Sequence, residues 1–320
     1  MSSFKTVLNT IRRHQKFLVS THHNPDADAV CSALAMAMFL KSLGKQVHVL
    51  NEDACPEWLK FLPWTSMLKK AGEVKKADYE IAIVLDCGDL KRVGGVKKFI
   101  QEGKPLINID HHVTNDRFGS INVVQSKASS TCEMVFDLFK EARYPLNKNL
   151  AMLLYAGIMT DTGSFRYENT SAHSHAVVDQ LMAFKFSAAH MYDRLYVGIP
   201  VADMKMFTDV IHRAQLLDGN RVFCVSLSKL VVERFSKSFD LKEKLFTFLR
   251  SMEGIEVVVI LTEINSKEVR VNLRSQKDFD VATLAQQFEG GGHKKAAGCK
   301  IYEPLKQAQK TICLAIHKRL

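Results

Sequence analysis

Residues 105–112 read Pro-Leu-Ile-Asn-Ile-Asp-His-His, and this stretch decides how the rest of the chain is interpreted. The apolar run Pro105–Ile109 favours β structure and lacks helical spacing, so it predicts a short buried strand. The strand closes on Asp110, His111 and His112, which can bind a metal or carry a proton. Side chains just past the carboxyl end of such a strand point into the crevice where open α/β sheets bind ligands. Taken alone the triplet also fits a solvated turn, so other strand ends must be compared.

Other apolar runs in the first half of the chain also lead into acidic or histidine side chains. These runs are Phe17–Thr21, Ile81–Leu85 and Ala156–Met159, the last being the exit of a helix or helix–strand element. The side chains that follow them are His22, Asp26, Asp28, Asp86 and Asp161. Repetition of this pattern at separate places predicts one shared site rather than unrelated surface residues.

These motifs resemble those of the DHH phosphoesterase family, which is named for the triplet at residues 110–112. The other matching motifs are His22-x-Asn-Pro-Asp26-Ala-Asp28, Leu85-Asp86, Thr160-Asp161-Thr162-Gly163, Gly290-Gly291-Gly292-His293 and Ala296-Ala297-Gly298. The last two are similar to the hallmark of the DHH-associated C-terminal domain. The match spans nearly the whole chain in the family's motif order. Within the family, the chain is most similar to the NrnA type of bifunctional oligoribonucleases and phosphatases.

The resemblance implies a site for two divalent cations. His22, Asp26 and Asp86 would hold one cation. The ligands implied for the second cation are Asp28, Asp86, His111 and Asp161, with Asp86 as the bridge. Carboxylates and imidazoles without thiolates favour manganese, or magnesium, over zinc. The competing interpretation is a buried network of paired acids and histidines without any metal.

Paired cations predict hydrolysis of a phosphate ester by direct attack of water, without a covalent intermediate. Asp86 and His112 are the expected catalytic residues. The family pattern leaves His112 off the metal, so we expect it to contact the phosphate or protonate the leaving oxygen, with a purely orienting role as the alternative. Asp110 is expected to orient His111 or a neighbour rather than bind metal.

Substrate recognition is expected from the C-terminal part of the chain. Arg274 and Ser275 resemble the family's phosphate-binding pair, and an arginine fork can grip two phosphate oxygens. Gly291 and Gly292 permit close backbone approach to a ligand, and His293 would contact phosphate or base. In the N-terminal part, Arg166 could either reach the substrate or structure a loop.

Alternation of strand and helix patterns predicts an α/β protein. Residues 1–186 are expected to form the DHH catalytic domain, a mostly parallel sheet with helices on both faces. Residues 187–214 are expected to form a helical connector. Residues 215–320 are expected to form a smaller α/β substrate-binding domain with a mixed sheet, because an Asp-Gly hairpin signal at Asp218-Gly219 opens a series of strand patterns.

Composition is that of a globular protein, and its excess of positive charge fits either an anionic partner or a lysine-rich surface that only aids solubility. The net charge of the 320 residues is +10, and residues 215–320 hold 18 Lys and Arg against 12 Asp and Glu. The 7 cysteines form no C-x-x-C pair, which predicts reduced core thiols. The longest apolar stretch, Ala29–Leu40, is too short to span a bilayer, and no secretion signal is recognisable. We therefore expect a cytoplasmic protein without membrane contact, and a homodimer is left open.

The expected substrates are very short oligoribonucleotides (nano-RNA) and 3'-phosphoadenosine 5'-phosphate, which would be cleaved to mononucleotides and to AMP. A phosphodiesterase acting on cyclic dinucleotides, or on their linear products, is the main alternative, because related family members share this pair of domains. An inorganic pyrophosphatase would leave the Gly292-His293 motif unexplained. A non-catalytic nucleotide-binding protein would be expected to have lost some of the cation ligands, and none is lost.

Overall fold

A parallel sheet of six strands organises the N-terminal part of the protein. The computed structural model describes residues 3–197, 200–236, 241–249 and 251–320. The strands are β1 (Lys16–Ser20), β2 (Gln46–Asn51), β3 (Leu68–Lys70), β4 (Ile81–Leu85), β5 (Leu106–Asp110) and β6 (Ile121–Val124), in the order β3-β2-β1-β4-β5-β6. Every position of β4 and β5 is buried, as expected for apolar strands covered on both faces.

The strand order reverses between β1 and β4. From β1 the chain proceeds to β2 and β3 on one side, and from β4 to β5 and β6 on the other. Phe17 of β1 is level with Ile81 of β4 and Ser20 with Val84, so the two strands end at nearly the same level. In open α/β sheets, ligands bind outside the carboxyl ends of the strands at such a reversal. The topology therefore directs the residues that follow β1 and β4 into one crevice.

Different elements cover the two faces of this sheet. The helices of the N-terminal part are α1 (Ser3–Arg13), α2 (Ala27–Ser42), α3 (Thr131–Glu141), α4 (Lys148–Asp161), α5 (Ala172–Met182) and α6 (Ala188–Tyr196). One core joins Val19 and Ile83 of the sheet to Leu34 of α2 and Leu153 of α4. On the other face, a 3₁₀ segment, Leu90–Phe99, covers the sheet. The predicted α/β architecture is confirmed.

The segment Ala156–Met159 is helical, so the possibility of a strand before Asp161 was wrong. Asn147 caps α4 by accepting a hydrogen bond from Leu150 N at 3.0 Å, and the helix then continues to Asp161. Gly157 lets α4 approach α2 and α3 closely, since a Cβ there would clash with the Cys132 sulfur. Burial between helices, rather than in the sheet, explains the apolar character of this run.

A second sheet, of mixed direction, lies in the C-terminal part. Its strands are β7 (Gln215–Leu217), β8 (Val222–Leu227), β9 (Val257–Asn265), β10 (Glu268–Ser275), β11 (Gly291–His293) and β12 (Ala296–Ile301), in the order β11-β12-β10-β9-β8-β7. Only the β8–β9 pair is parallel among these described strands. The helices are α7 (Val201–His212), α8 (Lys229–Glu233), α9 (Leu241–Leu249), α10 (Val281–Gln286) and α11 (Leu305–His317). The predicted mixed sheet is confirmed.

The chain divides into two compact units, Met1–Val197 and Gly198–Leu320. This division falls inside the segment 187–214 that the sequence assigns to a connector. The sequence pattern predicts a helix over Asp240–Met252, and its first residue, Asp240, lies outside the described residues. Across the described part of the chain, no helix combines the length and apolar character needed to cross a membrane.

Candidate metal centre

The turn between β1 and α2 supplies the first part of the site. Asp26 is the N-cap of α2, and its Oδ1 accepts a hydrogen bond from Ala29 N at 3.0 Å. Its other oxygen, Oδ2, lies 3.8 Å from Nε2 of the buried His22. The opposite ring nitrogen of His22, Nδ1, contacts the His23 carbonyl at 2.9 Å. This contact assigns the proton of the neutral ring to Nδ1 and turns Nε2 toward the carboxylates.

Asp86 lies at the centre of the site, directly after β4. Its Oδ2 is 3.5 Å from His22 Nε2, whereas its Oδ1 is 3.6 Å from His111 Nε2. Its backbone adopts φ 52°, a left-handed conformation that costs a non-glycine residue about 1–2 kcal/mol. The strained turn is held by the hydrogen bond from Asp86 N to the Ile109 carbonyl at 3.0 Å. The two carboxylate oxygens of Asp86 therefore face different halves of the cluster.

The second half of the cluster contains Asp28, His111 and Asp161. His111 Nε2 lies 3.4 Å from Asp161 Oδ2 and 4.0 Å from Asp28 Oδ2. Asp161 ends α4, where the negative end of the helix dipole disfavours a carboxylate. Asp28 lies in the first turn of α2 and is almost completely buried. Acidic side chains in these positions need a compensating positive charge.

His112 is held by a hydrogen-bonded chain of buried and half-buried polar residues. Its Nδ1 lies 2.7 Å from Asp110 Oδ1, and the other oxygen of Asp110 accepts a hydrogen bond from Asn115 Nδ2 at 2.6 Å. Asn115 also donates to Asn108 Oδ1 at 2.8 Å. Asp110 thus orients His112, which is the neighbour role that its sequence position suggested.

Mutual repulsion and burial perturb the titration of the cluster. Burial, followed by the charges of Asp86 and Asp161, raises the pKa of Asp28 well above its ordinary value. Burial alone would lower the pKa of His22, and so would the charge of Arg92. The nearby carboxylates of Asp26 and Asp86 outweigh both effects and raise this pKa to about 10. Divalent cations would relieve the repulsion among the carboxylates and displace the proton from His22.

The donor set fits two hard divalent cations. Within the described residues, side chains able to share an ion include the groups His22–Asp26–Asp86 and Asp28–Asp86–His111, with Asp86 common to both. Both groups contain only carboxylates and imidazoles, the donors of manganese and magnesium sites. Cys87, next to Asp86, donates instead to the Asp89 carbonyl at 3.1 Å, and burial raises the pKa of its thiol to about 12.

Arg166 lies in the turn that follows Asp161. Its Nε donates to the Gly163 carbonyl at 2.8 Å. Gly163, Ser164 and Phe165 all have positive φ, between 57° and 64°. This contact corresponds to the loop-structuring alternative for Arg166, and substrate contact stays a prediction.

The expected substrate residues of the second unit lie on neighbouring strands. In register, Arg274 of β10 is level with Ala296 of β12, which is level with His293 of β11. The Arg274 guanidinium stacks 4.6 Å from the Phe246 ring centroid. Ser275 is buried, and its hydroxyl contacts the Lys294 carbonyl at 3.4 Å.

Gly291 and Gly292 belong to β11 rather than to an open loop. Gly292 has φ 137°, and a Cβ there would lie 2.5 Å from the Ala296 carbonyl oxygen. The sequence suggested that Gly292 lets the backbone approach a ligand closely. In the structure, its missing side chain lets the backbone approach β12. Contact of these glycines with substrate stays a prediction.

Three residues that touch the site were missed by sequence reasoning. Thr131 donates its hydroxyl to Asp86 Oδ1 at 3.1 Å, and Asn115 supports Asp110. The Arg92 carbonyl accepts from His23 N at 2.6 Å and so fixes the β1–α2 turn. The sequence Ser130-x-x-Glu133 has the form of a helix cap and predicts the start of α3, but it does not predict that α3 contacts Asp28, 103 positions earlier.

Two family models match the chain. The model described as "DHH family, N-terminal domain" matches residues 16–158, and the DHHA1 domain model matches residues 229–318. The chain is 31% identical over 304 residues to the "Bifunctional oligoribonuclease and PAP phosphatase NrnA" of Thermus thermophilus, covering 94% of this chain and 89% of that protein. The Bacillus subtilis protein of the same name is 29% identical over 300 residues, covering 92% of each chain.

A solved structure also resembles the fold along almost the whole chain. It is that of an exopolyphosphatase-related protein from Bacteroides fragilis, with a TM-score of 0.87 and 25% identity. The match covers 99% of this chain and 96% of that one. The fold of that protein is therefore similar to this one along nearly the whole chain.

Proposed function

This chain belongs to the DHH phosphoesterase family and is a metal-dependent hydrolase, and we propose that it cleaves very short oligoribonucleotides to mononucleotides. We further propose that it dephosphorylates 3'-phosphoadenosine 5'-phosphate to AMP. The observation that carries the proposal is the position of Asp86, whose two oxygens face His22 and His111 respectively. The names of the relatives at 29–31% identity, which specify oligoribonuclease and phosphatase activities, support the substrate choice.

Two manganese ions are the proposed cofactors, held by His22, Asp26 and Asp86 on one side. The proposed ligands on the other side are Asp28, Asp86, His111 and Asp161. When bound, paired divalent cations make water a nucleophile near neutral pH and neutralise charge on the phosphate. The protein's own contribution is to hold these side chains close together. Without the fold, the carboxylates would repel one another or pair with the imidazoles. We propose a cytoplasmic location, because the cysteines of the described chain are free thiols and the cytoplasm keeps thiols reduced.

His112 is the proposed proton donor to the leaving oxygen. Asp110 holds the Nδ1–H of the ring, so Nε2 is the nitrogen through which a proton can pass to substrate. The Asp110 carboxylate also stabilises the positively charged ring before the transfer. Asn115 fixes Asp110 in turn, which keeps this donor aligned.

Arg274 and His293 are the proposed nucleotide contacts of the second unit, with Ser275, Gly291 and Gly292 shaping the same surface. The register places Arg274 and His293 two strands apart, with the small Ala296 between them. Two strand spacings amount to about 9.5 Å, a separation suited to groups that grip one nucleotide from opposite sides. Stacking on Phe246 holds the arginine fork, which can bind two phosphate oxygens at once.

Product analysis with manganese tests this assignment. The purified protein would be incubated separately with a 5'-phosphorylated diadenylate, a pentaribonucleotide, 3'-phosphoadenosine 5'-phosphate and cyclic diadenylate, and products would be separated by chromatography. We expect mononucleotides from both linear RNAs and AMP from the bisphosphate, with no turnover by Asp86→Ala. Turnover of the cyclic dinucleotide alone would instead assign the enzyme to the cyclic-dinucleotide phosphodiesterases.

A further inference from the structure

Thr131, the first residue of α3, contacts the two buried carboxylates proposed to hold the second cation, those of Asp28 and Asp86. Its backbone N–H donates to Asp28 Oδ2 at 2.7 Å, and its hydroxyl donates to Asp86 Oδ1 at 3.1 Å. The following amide, Cys132 N, donates to Asp28 Oδ1 at 2.9 Å. Thr131 itself is fully buried. The first turn of α3 therefore holds two acidic side chains that are distant in sequence, Asp28 through backbone amides and Asp86 through the Thr131 hydroxyl.

The start of α3 explains why these donors are available. The first amides of a helix have no partner within the helix and point outward along its axis. Ser130, the N-cap, accepts the Glu133 amide at 3.0 Å, which leaves the Thr131 and Cys132 amides for Asp28. The positive end of the helix dipole adds to the attraction for a carboxylate. These two amides therefore fix the orientation of the Asp28 carboxylate, and they do so independently of the other acidic side chains in the cluster.

Across the described part of the chain, no backbone amide donates a hydrogen bond to the Asp86 carboxylate. The terminal torsion of an aspartate is broad, so the two oxygens would rotate unless a donor held one of them. The Thr131 hydroxyl contacts Oδ1, the oxygen that also faces His111, and Oδ2 is left toward His22. Division of the two oxygens between two cations requires this orientation.

We propose that Thr131 is a positioning residue that orients the bridging carboxylate of Asp86 for the cation bound beside Asp28 and His111. The inference rests on the proposed two-cation site. It adds a role for a hydroxyl that lies outside the cation ligands themselves. Its loss should weaken that cation's binding, since groups that orient metal ligands typically contribute about 10–100-fold to affinity.

Titration of manganese by calorimetry tests the proposal in a variant whose first cation site, that of His22 and Asp26, is impaired. Asp26→Asn keeps the N-cap of α2 but removes a carboxylate of the His22 half, so the remaining binding step belongs to the half beside Thr131. Thr131→Val then removes the hydroxyl while keeping both the volume and the backbone amide. Thr131→Ser restores the hydroxyl. Ser32→Ala is the matched control, because it deletes a buried hydroxyl that donates only to the Ala29 carbonyl among described contacts.

We expect the Asp26→Asn/Thr131→Val protein to bind manganese about 10–100-fold more weakly than Asp26→Asn alone. The serine variant and the Ser32→Ala control should stay within about threefold of that background, a difference below 1 kcal/mol. Equal affinity with valine or serine at position 131 would overturn the proposal. So would equal weakening by both substitutions with an equally lowered unfolding midpoint of the metal-free protein, which would show a packing role. A wild-type protein that binds no cation would instead remove the proposed function itself.

Discussion

Nδ1 of His112 lies 2.7 Å from Oδ1 of Asp110, and the two residues form a hydrogen-bonded acid–imidazole pair at the end of β5. The pair is buried on the carboxylate side, and Asn115 saturates the second oxygen of Asp110. Such a carboxylate decides which ring nitrogen carries the proton. The pair therefore converts a strand-end histidine into a directed proton donor.

Asp110→Asn should lower kcat by about 10²–10⁴-fold, the usual contribution of a positioned acid or base. The amide can hold the ring in place but cannot stabilise its charged form. Cation content, measured by atomic absorption, should stay at the wild-type value, because Asp110 is not a proposed ligand. Asp89→Asn, which alters the half-buried N-cap of the 3₁₀ segment Leu90–Phe99, is the control and should leave kcat unchanged. A full-rate Asp110→Asn enzyme would exclude the proposed proton path.

Cation binding should release a proton from His22 at neutral pH. In the metal-free protein the pKa of His22 is raised to about 10, so the ring is charged at pH 7 and must lose its proton to bind a cation. Affinity should consequently fall as the pH is lowered. The raised pKa also stabilises the metal-free fold fully below the ordinary histidine pKa, and this stabilisation is lost as the pH rises through about 10.

Calorimetry in buffers of different ionisation enthalpy measures this proton release. His22→Gln should release about one proton fewer per molecule than the wild type. His23→Gln, whose ring contacts the Arg92 carbonyl, should release the wild-type number. Identical release by wild type and His22→Gln would show that His22 is not displaced from its proton by a cation.

Gly157→Ala should damage both stability and cation binding. A Cβ at Gly157 would lie 2.8 Å from Asp28 Oδ1 and would also clash with the Cys132 sulfur. Overpacking of this kind typically costs about 1–3 kcal/mol in the free energy of unfolding. Thermal unfolding and manganese titration should both register the change. Gly72→Ala is the control, because the space around its Cβ is open, and it should change neither stability nor manganese affinity. A wild-type manganese affinity in Gly157→Ala would contradict the prediction, since it would mean that Asp28 tolerates displacement.

Arg274→Ala should weaken substrate capture while leaving the bound cations in place. Hydrogen bonds to charged groups contribute about 1.5–3 kcal/mol, which corresponds to about a 10–100-fold rise in KM. Steady-state kinetics with the diadenylate would measure the change. Lys267→Ala, in the turn between β9 and β10, provides a charge-matched control. Loss of cations from Arg274→Ala would contradict the division of labour between the two units.

The N-terminal sheet and most of its strand ends could be predicted because the signal is local. Phe17–Thr21, Ile81–Leu85 and Pro105–Ile109 are apolar runs that end abruptly at polar residues. The edge strands β3 and β6 were missed, since they are short and only partly buried. The spacing of apolar residues cannot by itself distinguish a buried strand from a buried helix. For this reason the sequence allowed either a strand or a helix at Ala156–Met159.

The contacts that organise the site could not be predicted, because they join residues far apart in sequence. Thr131 reaches Asp28 and Asp86 only after α3 has been placed against α2 and beside the turn that follows β4. The left-handed turn at Asp86 carries no local sequence signal either, since glycine is the usual residue there. Motifs predict the ligands, and tertiary packing determines which residues orient them.

Anomalous diffraction from crystals grown with manganese tests the two-cation site most directly. We expect two peaks in one pocket, sharing Asp86, with His22 and Asp26 beside one peak. The ligands expected beside the other are Asp28, His111 and Asp161. Crystals of Asp86→Ala should show neither peak at full occupancy. Absence of both peaks from the wild-type pocket, with manganese bound elsewhere or not at all, would contradict the account.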